Sequence, residues 1–375
     1  MSTQPTVEQN PTNMPDSSAP ERPAMPIQRT RRSASPSVWP VSGSAEQQQM
    51  VQRARELAKS MVALSVQHDP ASIDGLLVEP RFLLEQAQVP GMLVGERLRI
   101  LGLMAAAVDN LFILELPAVR HRADNGDRTA QAMLAELALQ VQPIVDQAAA
   151  FITEQIFAEM ERAGIRVQQA SHLMTEQRTW LRDYFQNRVY PLITPLAVDP
   201  GRPFPFISTH SLNLLVHLPR TELPQRTVSR WQPQTYARIK VPRMLPRLVQ
   251  LPPLKGRSIR GWIWSEEVLR FSVAELFQGM EMGSAHVFRV LRSGSQLTSA
   301  PALLGPAVAT RKIERLSQVM RLDVEASMPQ AMVDWLAHHL EVPRYSIFRI
   351  PGPLSLVQLV DVANIVDGIP LARSL

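Results

Sequence analysis

The sequence of 375 residues contains no cysteine. Disulfides, thiolate metal sites and thiol nucleophiles are therefore excluded, and nothing indicates an oxidising compartment. Long apolar runs are missing as well: residues 100–108 form an apolar run that ends at Asp109, far short of the roughly 20 residues that span a bilayer. The N-terminal residues have neither the basic start nor the apolar core of a secretory signal. We expect a soluble cytoplasmic protein without a membrane span.

Motifs for phosphate, dinucleotide and metal chemistry are also missing. No G-x-x-x-x-G-K-[ST] sequence is present, so a phosphate cradle of the P-loop type is excluded. Gly279 and Gly283 are too isolated to form a dinucleotide-binding turn. The eight histidines form neither an H-E-x-x-H pair nor an H-x-K arrangement suited to phosphotransfer. The sequence therefore nominates no catalytic residue and no metal ligand.

Two pairs of histidines lie close together in the sequence. His338 and His339 are neighbours on a predicted helix, where adjacent side chains point about 100° apart, so they do not converge on one metal. Surface or capping roles fit them better. His210 and His217 flank a predicted strand at an odd offset, which places them on opposite faces. Neither pair predicts a shared site.

The charge balance is mildly basic. The net charge is +5, from 39 Lys plus Arg against 34 Asp plus Glu, and arginine supplies nearly all of the cations. The planar guanidinium group suits phosphate oxygens, so this bias permits an anionic partner. High-GC coding would give the same preference for arginine, and net charge argues about association and not about fold. Both interpretations stay open.

Residues 1–44 are predicted to be a disordered tail. They contain eight prolines with many Ser, Thr and Gln and few aliphatic residues, a mixture that buries too little apolar area to offset backbone ordering. The run RTRRSAS at residues 29–35 could attract a Ser/Thr kinase or an anionic surface. An ordinary solvated tail explains the same run.

A helical N-terminal domain is predicted for residues 45–122. Apolar residues recur at helical spacing in residues 46–66, and residues 96–116 form a second apolar helix. Residues 128–163 continue an apolar stripe as one long helix or a helix pair. Gly164 ends it, because glycine accepts the left-handed C-terminal conformation cheaply.

A middle domain of mixed antiparallel sheet and helix is predicted for residues 123–350. After residue 166, short alternating runs bounded by Pro or Gly indicate strands. Strands without regular strand–helix alternation, following an all-helical domain, predict an α+β fold. The predicted strands are 211–218, 236–241, 260–264 and 286–291, and the predicted helices between and after them are 265–276 and 328–340. The apolar segment 354–366 does not close a domain, so we expect 351–375 to begin another one.

One stretch carries a specific resemblance. Residues 184–216 read YFQNRVYPLITPLAVDPGRPFPFISTHSLNLLV. This resembles the middle-domain signature of polyphosphate kinase of the first family, approximately F-x-x-x-V-x-P-V-L-T-P-L-A-V-D-P-x-x-P-F-P-F-I-S-x-x-S-L-N-L-A-V. Further matches keep the family's order as far as residue 366. The prolines impose a kinked extended path on which Phe204 and Phe206 can point into a core, so an architectural role explains most of the motif. In the family this domain helps to form the dimer interface.

The resemblance extends upstream to a family run E-R-L-K-F-L-A-I-V-S-S-N-L-D-E-F-F, whose asparagine is the residue expected to meet ATP. Residues 96–112 read ERLRILGLMAAAVDNLF in register with it. Ala107 stands at the asparagine position, and Asp109 keeps the aspartate. The resemblance thus implies a cofactor-binding position at Ala107 and Asp109 in degraded form, because the alanine side chain neither donates nor accepts a hydrogen bond. An earlier family motif, N-R-E-L-S-W, is unrecognisable, since residues 70–75 read PASIDG.

The family's activity is phosphotransfer between ATP and polyphosphate with Mg²⁺, and its phosphorylated histidine lies in C-terminal phospholipase-D-like domains. Residue 375 precedes the signature H-H-P-Y-x-S-F of that half. Phosphoryl transfer depends on aligned charge around the moving group. We therefore expect a chain that is inactive alone, with no catalytic residue, no metal site and no cofactor of its own.

Three hypotheses follow from the resemblance. The chain is a half-enzyme that dimerises or docks with a separately encoded catalytic chain, a regulatory or scaffolding protein that binds true polyphosphate kinase subunits, or the product of a decayed gene. The expected partners are a second copy of the chain or a polyphosphate kinase catalytic chain, with polyphosphate as an anionic ligand. DNA, RNA and membranes are not expected partners. Loss of the asparagine favours the scaffold, because a split enzyme should retain its ATP contact.

Overall fold

A computed structural model describes Asp69 and residues 72–198, 204–219, 235–254, 256, 259–277, 280–293 and 317–368. The predicted tail 1–44, with its basic run 29–35, and the predicted helix 46–66 lie outside the described residues. The described residues form a helical part followed by a part of mixed helix and sheet. This is the predicted α+β fold.

The helical part contains two long helices that the sequence predicts. Each is prolonged by one π-helical turn, and the turn after α4 continues directly into α5. Gly164 follows α5 with φ +87°, as expected for a left-handed C-terminal residue. The elements are α1 Ile73–Ala87, α2 Val94–Asn110, the π turn Leu111–Glu115, α3 Pro117–Asp124, α4 Arg128–Phe151, the π turn Ile152–Ile156 and α5 Phe157–Arg162.

Side-chain caps fix where two of these helices begin. The Ser72 Oγ accepts a hydrogen bond from the Gly75 N–H at 3.0 Å at the start of α1. The Asp127 carboxylate accepts from the N–H groups of Thr129 and Ala130 at 2.9 and 3.1 Å at the start of α4. Such caps satisfy backbone donors that have no partner within the helix.

The second part contains two sheets. In the larger one the strand order is β2-β4-β3-β7-β8-β9, with antiparallel neighbours except for the parallel pair β8 and β9. In the smaller one the order is β1-β6-β5, with β1 parallel to β6. The strands are β1 Ile165–Gln168, β2 Leu196–Val198, β3 Asn213–Leu218, β4 Thr235–Lys240, β5 Leu248–Gln250, β6 Arg260–Trp264, β7 Ala285–Arg292, β8 Val319–Glu325 and β9 Ile347–Ile350.

Four further helices accompany the sheets. They are α6 Thr175–Tyr184, α7 Ser265–Leu276, α8 Gln330–Leu340 and α9 Leu359–Asp367. The predicted strands β3, β4, β6 and β7 and the predicted helices α7 and α8 are confirmed, with Pro329 as the residue before α8. The elements not predicted from the sequence are α1, α3, α6, α9, β1, β2, β5, β8 and β9.

The larger sheet is covered on both faces. Alternate residues of β3 and β7 point to opposite sides: Leu214 and Val287 join the core shared with the helical part. Leu215 and Phe288 join a second core under α8. Phe204 is partly buried and packs against this second core, 5.6 Å from the ring of Trp335, as predicted. Phe206 joins neither core, and its ring lies 4.5 Å from the Arg292 guanidinium, so the prediction is wrong for that residue. A sheet buried on both faces tolerates a charged side chain only where that charge has a partner.

The described part of segment 351–375 packs back onto the helical part. Helix α9 lies against α2, where a Cβ on Gly95 would stand 2.1 Å from Asp367 Oδ1 and one on Gly102 would stand 3.1 Å from Val360. The Arg99 guanidinium lies 2.6 Å from the Asp367 carboxylate. The expected boundaries at 44/45, 122/123 and 350/351 stay predictions, and the packing of α9 on α2 supplies a direct test of the last.

In the described parts of the chain, no single helix has the length and apolar character needed to cross a membrane. Two consecutive helical segments with a bend between them, Val94–Glu115 and Pro117–Asp124, together have enough length and apolar composition, and that is the only evidence for a span.

Candidate functional site

The outward face of α2 and of the π turn after it forms a narrow apolar stripe. Leu103, Ala107, Asn110 and Leu114 follow one another at intervals of three or four residues, which places them on one side of a helix. Leu103 and Leu114 are 41% and 57% exposed. Ala107 is partly buried, and Asn110 is exposed. The stripe therefore offers one polar side chain, the Asn110 amide, among apolar neighbours.

Asp109 points the opposite way and is 2% exposed. Arg289 on β7 donates to both of its carboxylate oxygens, from Nη1 to Oδ2 and from Nη2 to Oδ1, each at 2.8 Å. This two-pronged geometry is the strong form of an Arg–carboxylate pair. His210 Nδ1 lies 3.4 Å from Asp109 Oδ2. Asp109 thus joins the end of α2 to the sheet, and Ala107 and Asp109 do not share one surface.

The pair continues into a chain of four buried charges. Arg289 Nε donates to Asp323 Oδ2 at 2.6 Å, and Arg321 Nε donates to Asp323 Oδ1 at 2.6 Å. Arg321 is held between two rings, 5.0 Å from the centroid of Phe112 and 4.3 Å from that of Phe348. Two carboxylates and two guanidinium groups therefore alternate where α2 meets β7 and β8.

The surroundings of Asp109 and Arg289 favour the charged form of both side chains. Burial by itself raises the pKa of Asp109, but the charge of Arg289 and hydrogen bonds from His210 and Arg289 hold that pKa well below its usual range. Burial by itself lowers the pKa of Arg289, while Asp109 and Asp323 raise it above its usual range. Both groups are therefore charged at neutral pH.

The histidines take structural positions. His210 has a left-handed backbone with φ +59° beside Asp109, and His217 lies in β3 with its ring 5.4 Å from that of Tyr236. His339 packs 4.1 Å from the ring of Trp335 in the last turn of α8. His286 Nδ1 is within 3.2 Å of Glu325 and 3.4 Å of Ser327. Within the described ranges, no group of three or more potential metal-ligating side chains could hold an ion.

A second buried pair anchors the segment after β9. Arg247 donates to the Glu266 carboxylate from both terminal nitrogens, Nη1 and Nη2, and Nη2 also donates to the Leu354 carbonyl at 2.9 Å. The Arg247 guanidinium also lies 4.4 Å from the centroid of the Trp264 ring. This pair holds the residues that lead into α9 against the small sheet.

Comparisons with known proteins agree with this fold. A family model described as the polyphosphate kinase middle domain matches residues 176–362. A polyphosphate kinase of Thermosynechococcus vestitus is 29% identical over 291 residues, which cover 74% of this chain and 38% of that relative. One of Streptomyces coelicolor is 29% identical over 293 residues, covering 76% of this chain and 37% of that relative. The chain belongs to the polyphosphate kinase family.

A solved structure, that of polyphosphate kinase from Porphyromonas gingivalis, is similar in fold. The TM-score is 0.60 at 20% identity, and the similar region covers 76% of this chain and 39% of that one. The chain therefore spans about two fifths of the length of these relatives. The likeness to this polyphosphate kinase shows the fold alone.

Membership of the family leaves the roles of Ala107 and Asp109 as predictions. It assigns no role to the other three buried charges, Arg289, Asp323 and Arg321. Sequence reasoning missed Arg289, Arg321 and Asp323. A signal was present, because Arg321 and Asp323 alternate with apolar residues in 320–325, and Arg289 is the one charged residue in 285–291.

Proposed function

We propose that this chain is an architectural member of the polyphosphate kinase family that does not by itself transfer phosphate between ATP and polyphosphate. One observation carries the proposal: at the position where the family pattern has its ATP-contacting asparagine, the outward side chain is the methyl group of Ala107. The neighbouring Asp109 is buried and bound to Arg289. ATP and Mg²⁺ belong to the family's activity and are not cofactors of this chain.

Incubation of the purified chain with γ-labelled ATP and Mg²⁺ tests this proposal. We expect no labelled phosphohistidine and no polyphosphate. A calorimetric titration with ATP should give no saturable heat, because loss of a good polar contact costs about 1–3 kcal/mol, or roughly 5- to 150-fold in affinity. Labelled histidine or polyphosphate product would contradict the proposal.

A second candidate function is ATP binding through Asn110. This exposed amide lies three residues after Ala107 on the same face of the helix, so it can present the same donors and acceptor one turn along. If it binds adenine, wild-type chain will show saturable binding that Asn110→Ala abolishes. The matched control is Asn125→Ala, which removes an exposed amide after α3. Equal binding by all three proteins would exclude this role.

The chain's proposed partner is a second copy or a polyphosphate kinase catalytic chain, bound through the middle domain. In the described residues β2 lies at one edge of the larger sheet. Its first residue, Leu196, is 40% exposed, and Tyr190 and Leu192, shortly before it in the sequence, are 51% and 43% exposed. An edge strand with exposed apolar residues is suited to association. A cytoplasmic location and polyphosphate as an anionic ligand are further parts of the proposal.

Light scattering coupled to size exclusion tests self-association. We expect wild-type chain to dimerise and Leu192→Glu to weaken the dimer at least about tenfold, since the variant would place an unpaired carboxylate in an apolar interface. Leu139→Glu is the control, because Leu139 is exposed on α4, in the helical part. A wild-type chain that stays monomeric at high concentration, or equal weakening by both variants, would contradict this interface.

A further inference from the structure

A small cavity lies beneath α2, at the junction of the helical part and the larger sheet. Its volume is about 20 Å³. Its walls are mostly apolar, but all four charged residues of the buried network line it, together with Ser355. Its lining includes Met104, Ala105 and Val108 of α2, Val145 of α4, and Ile350, Pro353, Leu354 and Leu356 of the segment that leads to α9.

One donor of the network has no acceptor. Arg321 is 2% exposed, and its Nε binds Asp323, but its Nη1 is buried without a hydrogen-bond partner among the described residues. The rings of Phe112 and Phe348 cover the guanidinium and offer no lone pair in its plane. A buried donor left unpaired is unfavourable, so such groups in native proteins are usually satisfied by protein or by an ordered water.

The size and charge of the cavity select the ligand. A cavity needs roughly 10–15 Å³ to hold one water molecule, so 20 Å³ holds one and not a larger solute. The charges of Asp109, Asp323, Arg289 and Arg321 cancel, so a bound ion would lack a counter-charge. A water here could donate to carboxylate oxygens or to Ser355 in the same lining.

We propose that a single buried water occupies this cavity and accepts a hydrogen bond from Arg321 Nη1. It completes the network that joins α2 to β7 and β8. This water site is independent of whether the chain binds ATP or a second copy.

Substitution of Ala105, which is 7% exposed and lines the cavity, tests the proposal. Ala105→Ser adds a hydroxyl to the wall of the cavity that Arg321 also lines, as an acceptor in place of the water. Ala105→Cys has nearly the same shape but a poor acceptor. Because the hydroxyl replaces the hydrogen bond of the displaced water and the thiol does not, we expect the serine variant to melt near wild type and the cysteine variant to melt roughly 1–2 °C lower, the response to one hydrogen bond in a chain of more than 250 residues.

Ala106→Ser is the control for the cost of serine in a helix, since Ala106 lies on α2 next to Ala105 but is only partly buried and is absent from the cavity lining. A serine variant that melts well above wild type, with a cysteine variant no less stable than wild type, would mean that no bound water was displaced and would overturn the proposal. Crystals soaked in bromide give a second measurement. Electron density for one water within hydrogen-bond distance of Arg321 Nη1, without an anomalous signal, supports the proposal. An empty cavity or a bromide peak overturns it.

Discussion

Replacing Arg289 with methionine is expected to lower the free energy of unfolding by about 3–5 kcal/mol. The substitution leaves the buried carboxylate of Asp109 without its two-pronged partner and removes one of the two guanidinium groups bound to Asp323. Removing one member of a buried pair costs more than the pair contributes, because the remaining charge stays desolvated. Urea unfolding monitored by circular dichroism measures the change.

Arg81→Met is the matched control, since Arg81 pairs with Asp74 where the two side chains are 40% and 71% exposed. Arg81→Met should lower the free energy of unfolding by no more than about 1 kcal/mol, as for most surface ion pairs. If Arg289→Met lowers the free energy of unfolding by no more than this control does, then Asp109 does not join α2 to the sheet.

Lowering the pH should remove the stabilisation that the ionised Asp109 contributes through its pair with Arg289. The folded pKa of Asp109 lies well below its unfolded value near 3.8, so its charge stabilises the fold fully above that value. As pH falls from about 4 towards the folded pKa, the unfolded chain takes up the proton first and this stabilisation is lost. The difference in unfolding free energy between wild type and Asp109→Asn should therefore narrow below about pH 4. A difference independent of pH would contradict the pairing.

Local pattern was enough to predict much of the fold. Alternation in residues 211–218 and 286–291 predicts β3 and β7, and helical spacing in 96–116 and 128–163 predicts α2 and α4, although not the π turns that follow them. These segments have strong periodicity and clear ends, such as Gly164 with its positive φ. For such elements the local preference and the tertiary contacts agree.

The missed elements have physical reasons. β8 alternates apolar and charged residues from Met320 to Glu325, so its pattern does indicate a strand; what the pattern cannot show is that the face with Arg321 and Asp323 is buried against helices and not exposed to water. Its charges face the helical part because Arg289 and Asp109 neutralise them there. Asp109 and Arg289 are separated by 180 positions in the sequence. A local sequence pattern cannot show that two residues so far apart form a pair.

The candidate site, like the fold, was predicted from the sequence only in part. A motif in register identified the helix and the positions of Ala107 and Asp109, but it could not say that the two side chains point in opposite directions. Helix geometry adds that distinction only when the direction of the core is known, since residues two apart never share a face. The structure places Ala107 in the outward stripe and Asp109 under the helix, against the sheet.

Ending the chain at Ile350 is expected to abolish cooperative folding of the helical part. The change removes the buried side chains of Leu354, Leu356, Leu359 and Val362 and uncovers the glycine face of α2. Burial of each such side chain contributes about 1.5–3 kcal/mol at most. Four of them approach the whole stability of an ordinary domain, about 5–15 kcal/mol. Arg247 also loses the Leu354 carbonyl that it binds.

A chain ending at Gly368 is the control, because it retains α9 and its contacts with α2. Thermal unfolding and limited proteolysis of the two shortened chains would separate the possibilities. If the Ile350 chain keeps a sharp transition and a protected helical part, then residues 351–375 do begin a separate domain, as the apolar segment 354–366 suggested. If only the Gly368 chain folds, α9 is part of the helical layer, since the face of α2 that carries Gly95 and Gly102 is shaped to be covered by it.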